Sequence, residues 1–154
     1  MAESSMEPEA KRRLMARFRS QDTKPEIAVR RLLHRLGYRF RIHVGRLPGK
    51  PDIALPKYRT AIFVHGCFWH RHAGCKVATV PKTRQDFWQA KFEGNIQRDR
   101  RNASELEAMG WQVIIVWECE TRDIDRVAEA LESALRSRSN ARQLGSGTAS
   151  EGDR

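Results

Sequence analysis

At 154 residues, with a formal net charge of +10 and a pI near 10.3, the chain is long enough for one domain with its own core. It contains neither an apolar run able to span a bilayer nor a basic-then-apolar signal segment. Residues 1–20 and 137–154 carry only +2 and +1, so +7 sits on residues 21–136, a surplus suited to a polyanionic partner and to nucleic acid first.

A basic polar leader, partly helical, is expected over residues 1–20. In "DTKPEIAVRRLLHRLG", Thr23 and Glu26 make a capping box, Pro25 sits in the first turn, and Ile27, Val29, Leu32, Leu33 and Leu36 form an apolar stripe that Gly37 ends. "YRFRIHV" alternates Tyr38, Phe40, Ile42 and Val44 with Arg39, Arg41 and His43, which predicts a strand with one basic face. "PDIALP" and "RTAIFVHG" read as a hairpin around "KY", its second strand buried on both sides. From Thr83 to Met109 the pattern is helical, with Trp88, Phe92, Ile96 and Leu106 on one side and "QRDRRN" on the other; Gly94 and Ser104 are its weak points. "WQVIIVWEC" is the most strand-like run, "DIDRVAEALESALRS" a last amphipathic helix, and 137–154 a Ser/Gly-rich tail expected to be disordered. The folded body is thus 21–136, and the order α-β-β-β-α-β-α predicts an α/β fold, one mixed sheet flanked by helices.

Chemistry concentrates in "AIFVHGCFWHRHAGC", residues 61–75. The three cysteines cannot all pair within the chain, and the cytoplasmic setting expected here would keep them reduced. Cys67, His72 and Cys75 form C-x4-H-x2-C, and Cys119 closes the last strand; three thiolates and an imidazole make a set typical of structural zinc. Buried free cysteines or a Cys67–Cys75 disulfide are the alternatives. Pro51-Asp52 followed by the strand "AIFVH" looks like the hairpin of PD-(D/E)xK nucleases. Phe63 stands at the second acid and His65 at the lysine, so the strict motif is not met, and an Asp after Pro is also a common turn residue.

Through "MARFRSQDTKPE", "LPGKPDIALPKYRTAIFVHGCFWHRHAGC", "PKTRQDFWQAKFEGNIQRDRRN" and "LEAMGWQVIIVWEC", the whole chain resembles the very short patch repair (Vsr) DNA mismatch endonucleases. The resemblance implies a restriction-endonuclease-like fold with structural Zn²⁺, and Mg²⁺-dependent nicking of one strand 5′ to the T of a T·G mismatch left by deamination of 5-methylcytosine. It places Mg²⁺ on Asp52 and on the main-chain carbonyl near Val64, where some members have threonine. It makes His70 the group that activates the attacking water, and gives His65 and Glu26 the ordering of water around the metal; for Glu26 the capping box is a second role that need not exclude the first. These types suit the task, since Mg²⁺ prefers oxygen ligands and a neutral imidazole takes a proton near pH 7. With His70 so used, His72 completes the zinc set with Cys67, Cys75 and Cys119, although the Cys67–Cys75 interval is one residue longer than in a better-known member, the extra residue falling in "RHAG". Phe68, Trp69 and Trp88 fall where the family inserts aromatics into the base stack beside the mismatch; the spacing of Trp88 and Phe92 suits a core equally. Double-stranded DNA with a T·G mismatch, MutL-type repair factors, a monomeric state and a bacterial, nucleoid-associated location in the cytoplasm are implied too. A restriction-type nuclease of the same fold acting on other DNA, and a non-catalytic zinc-stabilised DNA-binding module, are the rival readings.

Overall fold

Thr23 opens the first helix as its residue type requires: its hydroxyl accepts the Glu26 N–H at 3.4 Å, and α1 runs Lys24–Arg35 until Gly37, at φ +86°, ends it. The structure, a computed structural model, describes residues 22–76 and 78–149, the last ten as backbone only; the leader expected over 1–20 lies outside these residues.

Strand β1 is confined to Arg41–Ile42, where the alternation predicts seven extended residues. His43 takes φ +48°, a left-handed conformation that ends an extended run, and Ile42 is 45% exposed while Tyr38 and Phe40 pack on the core. β2 (Ile53–Leu55) and β3 (Thr60–His65) form the expected antiparallel hairpin, joined by a 3₁₀ turn over Pro56–Tyr58. Helix α2 is continuous over Gln85–Ala108, through both Gly94 and Ser104. It is the crossover that returns β4 (Gln112–Trp117) parallel to β3, with Thr60 opposite Gln112 and His65 opposite Trp117. The sheet order is β1-β2-β3-β4. A 3₁₀ stretch over Glu118–Arg122 leads into α3 (Ile124–Ala149). Its backbone stays helical through 137–149, in place of the disordered stretch that the Ser/Gly content suggests. That segment holds no proline and includes Ala141, Arg142, Gln143 and Leu144, good helix formers, so nothing in it compels a stop. Residues 150–154 of the expected tail lie outside the described residues.

The period-2 geometry of strands divides the sheet into two working faces. Ile62 and Val64 of β3 and Val116 of β4 point with Ile53 and Leu55 into a core completed by Val29, Leu32 and Leu33 of α1 and by Val127, Leu131 and Leu135 of α3. Each such side chain, fully buried, contributes about 1.5–3 kcal/mol before chain entropy is counted. Phe63 and His65, with Val113 and Ile115 of β4, line the opposite face beneath α2. On that face a cavity stays open, and Ile115 is 41% exposed beside it.

Candidate active site and metal centre

The cavity has a volume of about 400 Å³, and its lining includes Asp52, Val64, His65, His70 and Asp99. Asp52 is placed by the end of the hairpin ladder. The last β2–β3 pair is Ile53 with Ile62, so the next inward N–H on β3, that of Val64, is without a strand partner; it donates to Asp52 Oδ2 at 2.8 Å. Burial pushes the Asp52 carboxyl up to about 6, against the Val64 N–H, which holds it down; Glu26 adds to the rise, and His43 and His70 oppose it. A half-buried carboxylate that is costly to ionise alone is the environment an oxygen-seeking cation relieves.

His65 and His70 lie face to face, ring centroids 3.9 Å apart at an interplanar angle of 7°. Burial, then His70, lowers the His65 imidazole to about 4, so its ring is neutral, and its Nδ1 is buried with no hydrogen-bond partner among the described residues. The His70 Nδ1–H donates to Asp99 Oδ2 at 2.7 Å. In the neutral ring this fixes the tautomer, with the proton on Nδ1 and the lone pair on Nε2. Asp99 carries a role that the sequence reading does not assign. The quoted run "NIQRDRRN" contains it, but a charge on the polar side of an amphipathic helix reads as a solvated face; only the crossover geometry brings α2 over the end of β3.

Glu26 is 2% exposed and serves the helix and the site region at once. The reciprocal half of its capping box goes to Asp22 and not to Thr23: Glu26 Oε2 accepts the Asp22 N–H at 3.1 Å. The same oxygen accepts Arg30 Nη2 at 3.0 Å and lies 3.3 Å from His43 Nε2. His43 Nε2 is also 3.1 Å from Arg30 Nη2, between a donor and an acceptor, so either tautomer satisfies one of the two contacts. His43 lines the cavity, and its left-handed backbone, which shortened β1, is what turns its ring toward Glu26.

A second cluster lies just behind. Cys67, His72, Cys75 and Cys119 bring four donor atoms within 4.8 Å of one another. His72 Nδ1 is 3.7 Å from Cys67 Sγ and 3.4 Å from Cys119 Sγ, against roughly 3.6 Å for the N···S edge of a zinc tetrahedron with ordinary bond lengths. The longer Cys67–Cys75 interval is taken up by a tight loop with Arg71 at φ +56° and Gly74 at φ +73°, and Cys75 remains in the set. Burial pushes the Cys67 thiol up to about 12; the Cys119 N–H lowers it, while the neighbouring thiols raise it further. A buried thiol that, like Cys67, resists ionisation on its own is relieved by a soft divalent cation, so the donor chemistry fits zinc. His72 is stacked on Trp117, centroids 4.3 Å apart, which fixes the ring plane.

Between these sites Phe68 and Trp69 meet Trp88 of α2 at centroid distances of 5.8 and 5.7 Å, with Phe92 beneath and Phe87 beside. Phe92 is buried, whereas Phe87 is 47% exposed. Arg71 straps the loop, donating to the carbonyls of Phe68, Ala78 and Thr79, with its guanidinium 4.1 Å from the centre of the Phe92 ring. The structure thus brings together all three aromatics predicted from sequence, and adds Phe87 and Phe92 to the group.

Comparison with known proteins gives concordant results. The profile of the family described as DNA mismatch endonuclease Vsr matches residues 4–76. The chain is 51% identical over 131 residues to the type II nicking enzyme V.XorIIP of Xanthomonas oryzae pv. oryzae, covering 85% of this chain and 93% of that one. It is 43% identical to the DNA mismatch endonuclease Vsr of Escherichia coli over 122 residues, 79% of this chain and 78% of that protein. Among solved structures, the catalytic domain of the homing endonuclease I-Bth0305I is similar in fold, with a TM-score of 0.55 over 76% of this chain and 98% of that one, at 23% identity.

Proposed function

The chain belongs to the Vsr family of DNA mismatch endonucleases and is a DNA-nicking nuclease, and from that premise we propose that it cuts one strand 5′ to the T of a T·G mismatch in an Mg²⁺-dependent reaction. The observation that carries this reading is the convergence, in one cavity, of Asp52 on the Val64 N–H with a His70 whose Nδ1 is held by Asp99.

Asp52 and the main-chain carbonyl near Val64 are the groups that would hold Mg²⁺, which supplies charge to offset that developing on the phosphate. His70 Nε2 accepts the proton of the attacking water; the water oxygen bonds to phosphorus as one sugar oxygen leaves. Asp99 orients the ring and stabilises it once protonated, as the acid of a triad does for its histidine. His65, stacked on His70, holds the ring plane and presents a neutral edge to solvent in the cavity; Glu26, through His43, adds fixed negative charge near Asp52. Phe68, Trp69 and Trp88 act as the wedge that unstacks the weakened pair. Cys67, His72, Cys75 and Cys119 hold a structural Zn²⁺ that ties the loop after β3 to the end of β4. The protein acts as a monomer on the bacterial nucleoid in the cytoplasm, with MutL-type factors following it. Among the described residues no helix is long and apolar enough to cross a membrane.

A duplex panel tests the reading. With Mg²⁺, the T·G duplex is expected to be nicked at the bond 5′ to T, and matched duplex and other mismatches are expected to stay intact. Equal cutting of matched duplex would replace mismatch repair with a restriction-type role.

A further inference from the structure

Lys50 and Arg98 are the only lysine and arginine among the described residues lining the cavity that contains Asp52, His65 and His70. Among those residues neither forms an ion pair or a side-chain hydrogen bond. Arg30, Arg71 and Arg138, by contrast, are each tied to carboxylates or main-chain carbonyls. The two free cations come from segments docked tightly on each other. Gly49 and Lys50 are consecutive left-handed residues, at φ +75° and +48°. A Cβ on Gly49 would lie 2.8 Å from the Cβ of Asn102, so only glycine lets this turn seat against α2. Asn102 is one helical turn from Arg98, and Asp99, next to Arg98, is the residue that fixes His70. The same helix surface therefore positions the turn carrying Lys50, the guanidinium and the orienting acid.

A phosphodiester under attack gathers negative charge on its non-bridging oxygens. Fixed cations aimed there lower the barrier more than they improve ground-state binding, and a guanidinium with an ammonium supplies both a fork and a point charge. Strand β3 offers no lysine for this, since His65 occupies the place where the PD-(D/E)xK pattern would have one. We infer that Lys50 and Arg98 bind the non-bridging oxygens of the phosphate being cut, as a two-cation clamp recruited from outside the hairpin. The inference rests on the cavity being the cutting site and is independent of which mismatch is chosen.

Lys50→Gln and Arg98→Gln keep length and polarity while removing charge. The phosphate is defined by mapping the wild-type nick, so a substrate other than T·G changes the oligonucleotide and leaves this test intact; a failure of the duplex panel is thereby distinguished from a failure here. Single-turnover nicking at saturating duplex and Mg²⁺ is expected to fall about 10²-fold in either variant. Affinity without Mg²⁺ should change by less than about tenfold, and Lys50→Arg should keep most of the rate. A methylphosphonate at the mapped phosphate, which removes the charge of one oxygen, should weaken wild-type binding more than that of either glutamine variant, in which one cation of the pair remains. Melting curves check each variant, and one folded variant suffices for the comparison. A saturating rate equal to wild type, or equal weakening of wild type and variants by the methylphosphonate, overturns the clamp.

Discussion

Residues 65–75 serve two sites of opposite construction. His65 and His70 face an open, polar cavity in which Asp52 is the carboxylate proposed to hold metal; Cys67, His72 and Cys75 turn away to meet Cys119 in a cluster whose four donor atoms lie within 4.8 Å of one another. A closed set of thiolates and imidazole leaves a cation nowhere to take substrate, whereas an oxygen site with few protein ligands leaves positions for water and phosphate. Stability and chemistry should therefore separate cleanly along this loop, although its residues are neighbours in sequence.

The largest effect is expected from the closed site. Cys119 is 52 residues from Cys67 and joins the end of β4 to the loop after β3. Cys119→Ser should lose the zinc and lower the melting temperature most of all substitutions considered, since structural zinc in small peptides is worth roughly 10–16 kcal/mol, only part of which a domain with its own core forfeits. Metal analysis with thermal melting checks this, and wild-type protein that is zinc-free yet fully stable would erase the contrast.

Next comes the open site, on the opposite readout. Asp52→Asn keeps an acceptor for the Val64 N–H and removes the charge, so nicking should fall at least about 10³-fold. Its melting temperature should be unchanged or slightly higher without Mg²⁺, because the carboxylate it replaces is one that burial makes hard to ionise. A large loss of stability would mean that Asp52 belongs to the frame of the hairpin and not to its chemistry.

The two regions also differ in how far the sequence discloses them. The clustering of Cys67, His72, Cys75 and Cys119 was legible because cysteines are few, and the hairpin because "AIFVH" is an unbroken apolar run ending in polar residues. The division of histidines between the sites came from family resemblance, not from spacing. β1 was over-read because alternation cannot reveal that His43 turns left-handed, and the same turn is what brings His43 to Glu26. Asp99 and Lys50 were invisible for a related reason: one lies on a charged helix face and the other in a turn, and only the parallel return of β4 through α2 gathers them at the cavity. The extent of α3 past residue 137 was missed because Ser and Gly content lowers helix propensity without forbidding a helix.

A smaller effect probes how the cavity is ordered. Asp99→Asn retains a hydrogen bond to His70 but removes the charge opposing a protonated ring, and should reduce the saturating nicking rate by about 10²-fold with zinc content and melting unchanged. Combined with His70→Ala, which should cost at least as much, it should add little further loss, because the acid acts through the ring. Additive losses would give Asp99 a separate task, such as a direct place near the metal.

The smallest expected effect, about tenfold per pH unit, separates proton from metal at Asp52. Burial places its carboxyl at about 6, so the proton-bound form is favoured below that pH; Mg²⁺ needs the carboxylate, and each unit of acidification below about 6 should cost roughly a tenfold loss of apparent Mg²⁺ affinity. In the metal-free protein the same shift has the opposite consequence for folding. Between the unfolded value of 3.8 and about 6 the native state holds the proton more tightly, so this group favours the fold as pH falls through that window and withdraws its contribution as pH rises past 6. His65, held near 4, stays neutral over the assay range and adds no second limb there. Nicking at subsaturating Mg²⁺ should therefore show an acid limb near 6 that moves to lower pH as Mg²⁺ is raised. A limb that stays fixed at every Mg²⁺ concentration would belong to a proton on the reacting groups, and the assignment of Asp52 as the metal's carboxylate would lose its support from pH.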